Sequence, residues 1–153
     1  MSLLRWLLVL GLVVWVGALA AKSLRADELA DKFEKRKFQP REGATLLYRF
    51  LKPAKTEPGK TYPLVLFLHG AGERGDDNDK PLIHGVRTFA TEEFLAKYPC
   101  YVVVPQCPTN KKWSDVDWSS SKVVFPDQES ETALLVMQCL DGLEKEFPID
   151  KTR

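Results

Sequence analysis

The chain has 153 residues, 44% of them hydrophobic and 28% charged, an ordinary globular balance sized for about one domain. Lysines and arginines total 22 against 21 aspartates and glutamates, and a net charge of +1 with no basic stripe argues against nucleic acid as a partner. The three cysteines, Cys100, Cys107 and Cys139, fall into no CxxC or Cys/His spacing, so they read as small buried residues rather than metal ligands.

In chain order, the N-terminus reads as a targeting segment. Arg5 supplies a positive start, Trp6 to Ala21 is an uncharged apolar run, and Ala18-Leu19-Ala20 is a small-x-small cleavage site. The sixteen residues between Arg5 and Lys22 fall short of the ~20 that span a bilayer comfortably. The reading is therefore residues 1–21 as a signal peptide cut after Ala20, with a retained membrane anchor as the alternative. Export to the periplasm, envelope or medium follows.

Residues 22–43, with Asp31, Lys32, Glu34, Lys35, Arg36 and Lys37 close together, read as a solvated linker with helical tendency. Residues 44–153 read as one domain. Thr45 to Leu51 has strand character, and Lys52 to Tyr62 is a loop punctuated by Pro53, Pro58 and Gly59. Pro63-Leu64-Val65-Leu66-Phe67-Leu68 is an unbroken apolar run, expected as a central strand covered on both faces. Cys100 to Val104 repeats that signature, and Thr91 to Tyr98 between them has helix formers closed by Pro99, which together predict a βαβ crossover.

A loop rich in Pro, Trp, Asp and Ser, from Pro105 to Pro126, precedes the longest helical pattern. Asp127 or Ser130 can cap it, Val136, Leu140, Leu143 and Phe147 share one face, and Pro148 ends it. The fold class predicted is α/β, a mostly parallel sheet flanked by helices. Two parallel strands and one long helix are expected to leave a face uncovered, and the turn from Phe147 to Arg153 is where a further strand would start.

The chemistry-bearing stretch is Leu68-His69-Gly70-Ala71-Gly72-Glu73-Arg74-Gly75, directly after the most hydrophobic strand. Gly70, Gly72 and Gly75 spell G-x-G-x-x-G, but Asp76-Asp77-Asn78-Asp79-Lys80-Pro81 follows in place of a helix, so a dinucleotide site is rejected. The other reading is an oxyanion loop, in which a main-chain N–H after His-Gly faces the charge that develops in acyl transfer.

The run from Leu66 through Gly75 to Asp76-Asp77-Asn78, with Val104-Pro105-Gln106-Cys107-Pro108 and Trp113 downstream, resembles the α/β-hydrolase superfamily. Within it, the similarity is to the predicted-peptidase and carboxylesterase group related to phospholipase/carboxylesterases and polyhydroxybutyrate depolymerases, over roughly Thr45 to Arg153. The resemblance implies that Ala71 donates its main-chain N–H to the oxyanion while Gly70 and Gly72 shape the loop. It also implies a base far downstream, because the triad of this fold runs serine, acid, histidine. His69 is thus expected to be structural and His84 to lie on the surface. Glu73, Arg74, Asp76 and Asp77 are read as a solvated acidic turn, with the alternative that they pin the loop through ion pairs or shape the cleft mouth, and without the oxygen spacing of a calcium loop. Trp113 and Trp118 follow a parallel strand's carboxyl end, where they either line the substrate cleft or pack on the sheet rim.

None of Ser114, Ser119, Ser120, Ser121 or Ser130 has glycines two residues to either side, so no nucleophile elbow is found. The expectation is the N-terminal part of a serine hydrolase acting on an ester or amide substrate through an acyl-enzyme. Its triad would lie beyond Arg153, no cofactor is implied, and the 153-residue chain alone would be inactive and poorly folded. The alternatives are a non-catalytic exported binding module on the same scaffold, and a membrane-anchored interaction protein.

Overall fold

The computed structural model describes residues 26–117 and 119–153. The expected signal segment, its cleavage site and Trp118 lie outside these residues.

After a short helix, α1 (residues 26–31), the chain forms a four-stranded mixed sheet of order β1-β2-β4-β3. Its strands are β1 (Glu34–Arg41), β2 (Ala44–Leu51), β3 (Leu64–Leu66) and β4 (Tyr101–Gln106). The segment read as a linker is thus corrected: most of its second half is strand β1, paired antiparallel with β2 from Glu34↔Phe50 to Arg41↔Ala44. Gly43, at φ +75°, makes the tight reversal between them. The charges did not forbid a strand, because β1 is an edge strand with mostly exposed side chains whose stability comes from main-chain pairing.

β2 runs antiparallel to β4, and β3 parallel to it. The crossover between β3 and β4 is the expected one. It includes α2 (Glu92–Lys97), whose first turn is capped by Thr91 Oγ1 accepting the Phe94 N–H. After β4 comes the long loop, then α3 (Glu131–Glu146), with Ser130 as the actual N-cap: its Oγ accepts the Ala133 N–H at 3.1 Å. Such a cap contributes about 1 kcal/mol.

The period-two alternation of the strands sorts side chains into two cores. One face of the sheet, with Leu46, Tyr48, Phe50, Tyr101 and Val103, is covered by Leu135, Val136, Cys139 and Leu143 of α3. The opposite face, with Leu51, Val102 and Val104, is covered by Phe33 and by Leu82, Val86 and Ala90 from turns of 3₁₀ helix. The expectation of an uncovered face is therefore corrected: short 3₁₀ turns, which sequence periodicity does not mark, supply the second layer. All six residues of β4 are buried.

β3 differs from the prediction as well. It is not central among the described residues but marginal, and its residues are only half buried because one flank lacks a full neighbour. On that flank the chain leaving α3 makes a parallel bridge, Tyr62↔Ile149: the Tyr62 N–H donates to Pro148 O at 3.0 Å and the Asp150 N–H to Tyr62 O at 2.8 Å. The segment after α3 thus sets out alongside β3 in the parallel sense.

Candidate active site

Because β3 and β4 are parallel, their carboxyl ends open on the same edge of the sheet, where α/β folds place ligands. The glycine loop leaves β3 at that edge. Gly70 is extended, with φ −77° and ψ −177°, and Ala71–Glu73 form one 3₁₀ turn. The first N–H groups of such a turn have no acceptor within it. Among the described residues neither the Ala71 nor the Gly72 N–H donates a hydrogen bond, and both residues are exposed.

His69 holds this loop. It is 6% exposed. Its Nε2 accepts the Cys107 N–H at 3.0 Å, which requires the hydrogen to sit on Nδ1, and Nδ1 lies 2.6 Å from Gly70 O. Both ring nitrogens are therefore committed to backbone, and the imidazole is a fixture rather than a free base. The Trp113 indole N–H donates to His69 O at 2.9 Å, and the two rings meet edge-on at 5.1 Å. Trp113 in turn is tied to the helix cap, since its carbonyl accepts from Ser130 Oγ at 2.8 Å. These contacts tie Trp113 to the glycine loop and leave its two sequence readings, cleft lining and packing on the sheet rim, both open.

The acidic stretch is anchored rather than freely solvated, which corrects the preferred sequence reading in favour of its alternative, a pinned loop, with hydrogen bonds as well as ion pairs holding it. Asp77 Oδ1 accepts the Asp79 and Lys80 N–H groups, both at 2.8 Å, and Gln106 Nε2 at 3.2 Å. Partial burial pushes the Asp77 carboxyl up, but those N–H donors outweigh it and hold it well below the usual carboxylate range. Asn78, at φ +56°, is buried, with Nδ2 donating to Tyr48 O at 3.1 Å. Arg49, 5% exposed on β2, donates to Asn78 O, to Phe33 O at 2.8 Å, and to the Asp79 carboxylate. Glu73 has its Oε1 3.4 Å from Nε2 of His84, which is on the surface as expected.

Sequence reasoning missed Arg49, and it quoted Asn78 and Gln106 within the resembling motifs without giving either a role. Their partners lie 28 to 30 residues away for the Arg49–Asn78, Tyr48–Asn78 and Asn78–Gln106 contacts, so no local spacing announces them. A polar residue inside an apolar strand, such as Arg49 between Tyr48 and Phe50 or Gln106 after Val104-Pro105, was the available signal.

The cysteines are buried, as read from sequence, and all three are free. Burial pushes each thiol up, Cys139 to about 11, so none offers a thiolate near neutral pH. No group of residues able to hold a metal occurs among the described residues, and none of their helices is long and apolar enough to cross a membrane. A cavity of about 760 Å³, bordered by Leu51, Lys52, Tyr62 and Pro99, opens at the opposite, amino end of β4. It lies away from the glycine loop.

No protein-family model matches the chain, and no curated protein does. Among solved structures the chain is similar to a thermostable esterase, with 34% identity and a TM-score of 0.70 over 80% of this chain. The chain spans 33% of that esterase's length. The fold is therefore α/β and hydrolase-like, and at the level of the fold the chain is esterase-like.

Proposed function

We propose that this chain is the N-terminal part of an exported serine hydrolase that cleaves an ester or amide bond through an acyl-enzyme. The observation that carries the reading is the Ala71 N–H, which has no acceptor among the described residues and stands at the carboxyl end of β3 on a loop fixed by His69. Likeness to an esterase, 33% of whose chain is matched, supports it.

In this mechanism a serine beyond Arg153 attacks the substrate carbonyl carbon while a histidine takes its proton. The carbonyl oxygen becomes an oxyanion and accepts from the Ala71 N–H and from the residue after the serine. Gly70 and Gly72 keep the approach clear of side chains. Collapse expels the alcohol or amine, and water then releases the acid by the same route. The reading requires no cofactor. The N-terminal segment directs export and is cleaved after Ala20 on the way.

The test is Ala71→Pro in the full-length enzyme. Gly70 already has the extended ψ that a following proline demands, and Ala71 opens its turn, where proline is tolerated, so the loop survives while the N–H is lost. We expect kcat for p-nitrophenyl ester hydrolysis to fall ~10²–10³-fold. Unchanged turnover in a folded variant would refute the assignment. Failure of the wild-type enzyme to hydrolyse esters or amides and to take a fluorophosphonate label would refute the proposed function.

A further inference from the structure

The end of β4 touches the glycine loop at five points, and three of them belong to one side chain. Gln106 is 2% exposed, and its Oε1 accepts the Asn78 N–H at 2.6 Å. Its Nε2 donates to Glu73 O at 3.0 Å and to Asp77 Oδ1 at 3.2 Å. Next to it, the Cys107 N–H donates to His69 Nε2 and the Cys107 carbonyl accepts the Gly75 N–H, both at 3.0 Å. The loop passes so close that a Cβ on Gly75 would lie 3.1 Å from Gln106 Nε2.

These contacts divide the work. Cys107 and His69 fix where the loop leaves β3, whereas Gln106 fixes where its 3₁₀ turn ends, through the carbonyl of Glu73, two residues after Ala71. A single turn clamped at both ends cannot rotate its first N–H. A primary amide is the group that can do this, because it accepts from Asn78 and donates to Glu73 on the same plane.

We propose that Gln106 is a positioning residue of the hydrolase: it aims the Ala71 N–H by holding Glu73 and Asn78, without touching substrate. The proposal rests on the reading of Ala71 as oxyanion donor. Its signature is a defect in kcat rather than in substrate binding, since the displaced donor matters only once negative charge has formed.

The test uses two variants of the full-length enzyme. Gln106→Met removes both halves of the clamp at similar volume. Gln106→Glu keeps the acceptor for Asn78 but, when ionised, presents a carboxylate to Glu73 O and to Asp77, and it recovers a donor when protonated. A misplacement of about 1 Å at such a site costs ~100-fold. We expect kcat for ester hydrolysis to fall by about that factor in Gln106→Met with KM within about twofold. In Gln106→Glu the loss should be partly relieved on the acid side, giving a pH profile that the wild type lacks. Amide exchange should quicken at Asn78 in Gln106→Met, whereas Gln106→Glu leaves it protected.

Wild-type kcat in a folded Gln106→Met, or equal losses in both variants at every pH, would overturn the proposal. Should the wild type lack hydrolase activity, the esterase reading fails, and exchange at residues 70–78 still decides whether Gln106 holds the loop. Unaltered exchange in Gln106→Met would refute that as well.

Discussion

Replacing Arg49 with Met removes a buried guanidinium that joins strand β2 to the loop carrying the acidic residues. The magnitude follows from what is left behind. Phe33 O and Asn78 O both lose their Arg49 donors in the buried layer under the loop. Each such orphan costs about 1–3 kcal/mol. Asp79 adds little, because its side chain is 58% exposed and keeps Lys35 at 2.8 Å. The sum is a loss of about 2–6 kcal/mol, a large share of the ~5–15 kcal/mol that stabilises a typical domain. Urea denaturation followed by circular dichroism reads it as a lower midpoint at unchanged slope. A loss below about 1 kcal/mol would mean that water satisfies both carbonyls, and that Arg49 does not hold the loop.

Three further outcomes follow. Phe50, fully buried and stacked on Tyr101 at 5.7 Å and against Phe147 at 5.0 Å, should cost about 3–5 kcal/mol when changed to Ala, measured by the same titration. His69→Leu strands the buried Cys107 N–H, so a loss of about 1–3 kcal/mol is expected together with a fall in kcat, and unchanged kcat would separate His69 from the oxyanion loop. Asp77 has a folded pKa below its unfolded value of about 3.9, so the stability it contributes is complete above that pH and is lost as pH falls through the folded value. Asp77→Asn should therefore be less stable at neutral pH and show a flatter acid limb below pH ~4 in thermal melts.

Part of this was legible from the sequence for a physical reason. Strands and helices that bury a face must write that face into their apolar spacing, so β3, β4, α2 and α3 were all predicted, α3 with Ser130 among its caps. Strand β1 was missed because it buries little: Glu34, Lys35 and Lys37 look outward, and the signal for the strand is pairing with β2 rather than hydrophobicity. The position of β3 at the margin depends on what flanks it, which its own residues do not encode.

The site divides in the same way. Glycines after an apolar strand advertise a loop that needs close backbone approach, and His69 beside them behaves as the structural residue expected. The clamp on that loop comes from Arg49 and Gln106, brought in by strand pairing across β2 and β4. Each is a polar side chain whose meaning appears only once the sheet is assembled.

The most direct test of the central claim is the structure of the full-length enzyme after reaction with a fluorophosphonate, whose phosphonyl oxygen stands in for the oxyanion. That oxygen should lie about 2.7–3.1 Å from the Ala71 nitrogen, with phosphorus bonded to a serine beyond Arg153. An adduct whose oxygen points away from residues 70–72, or one formed on a serine within the present chain, would contradict the account.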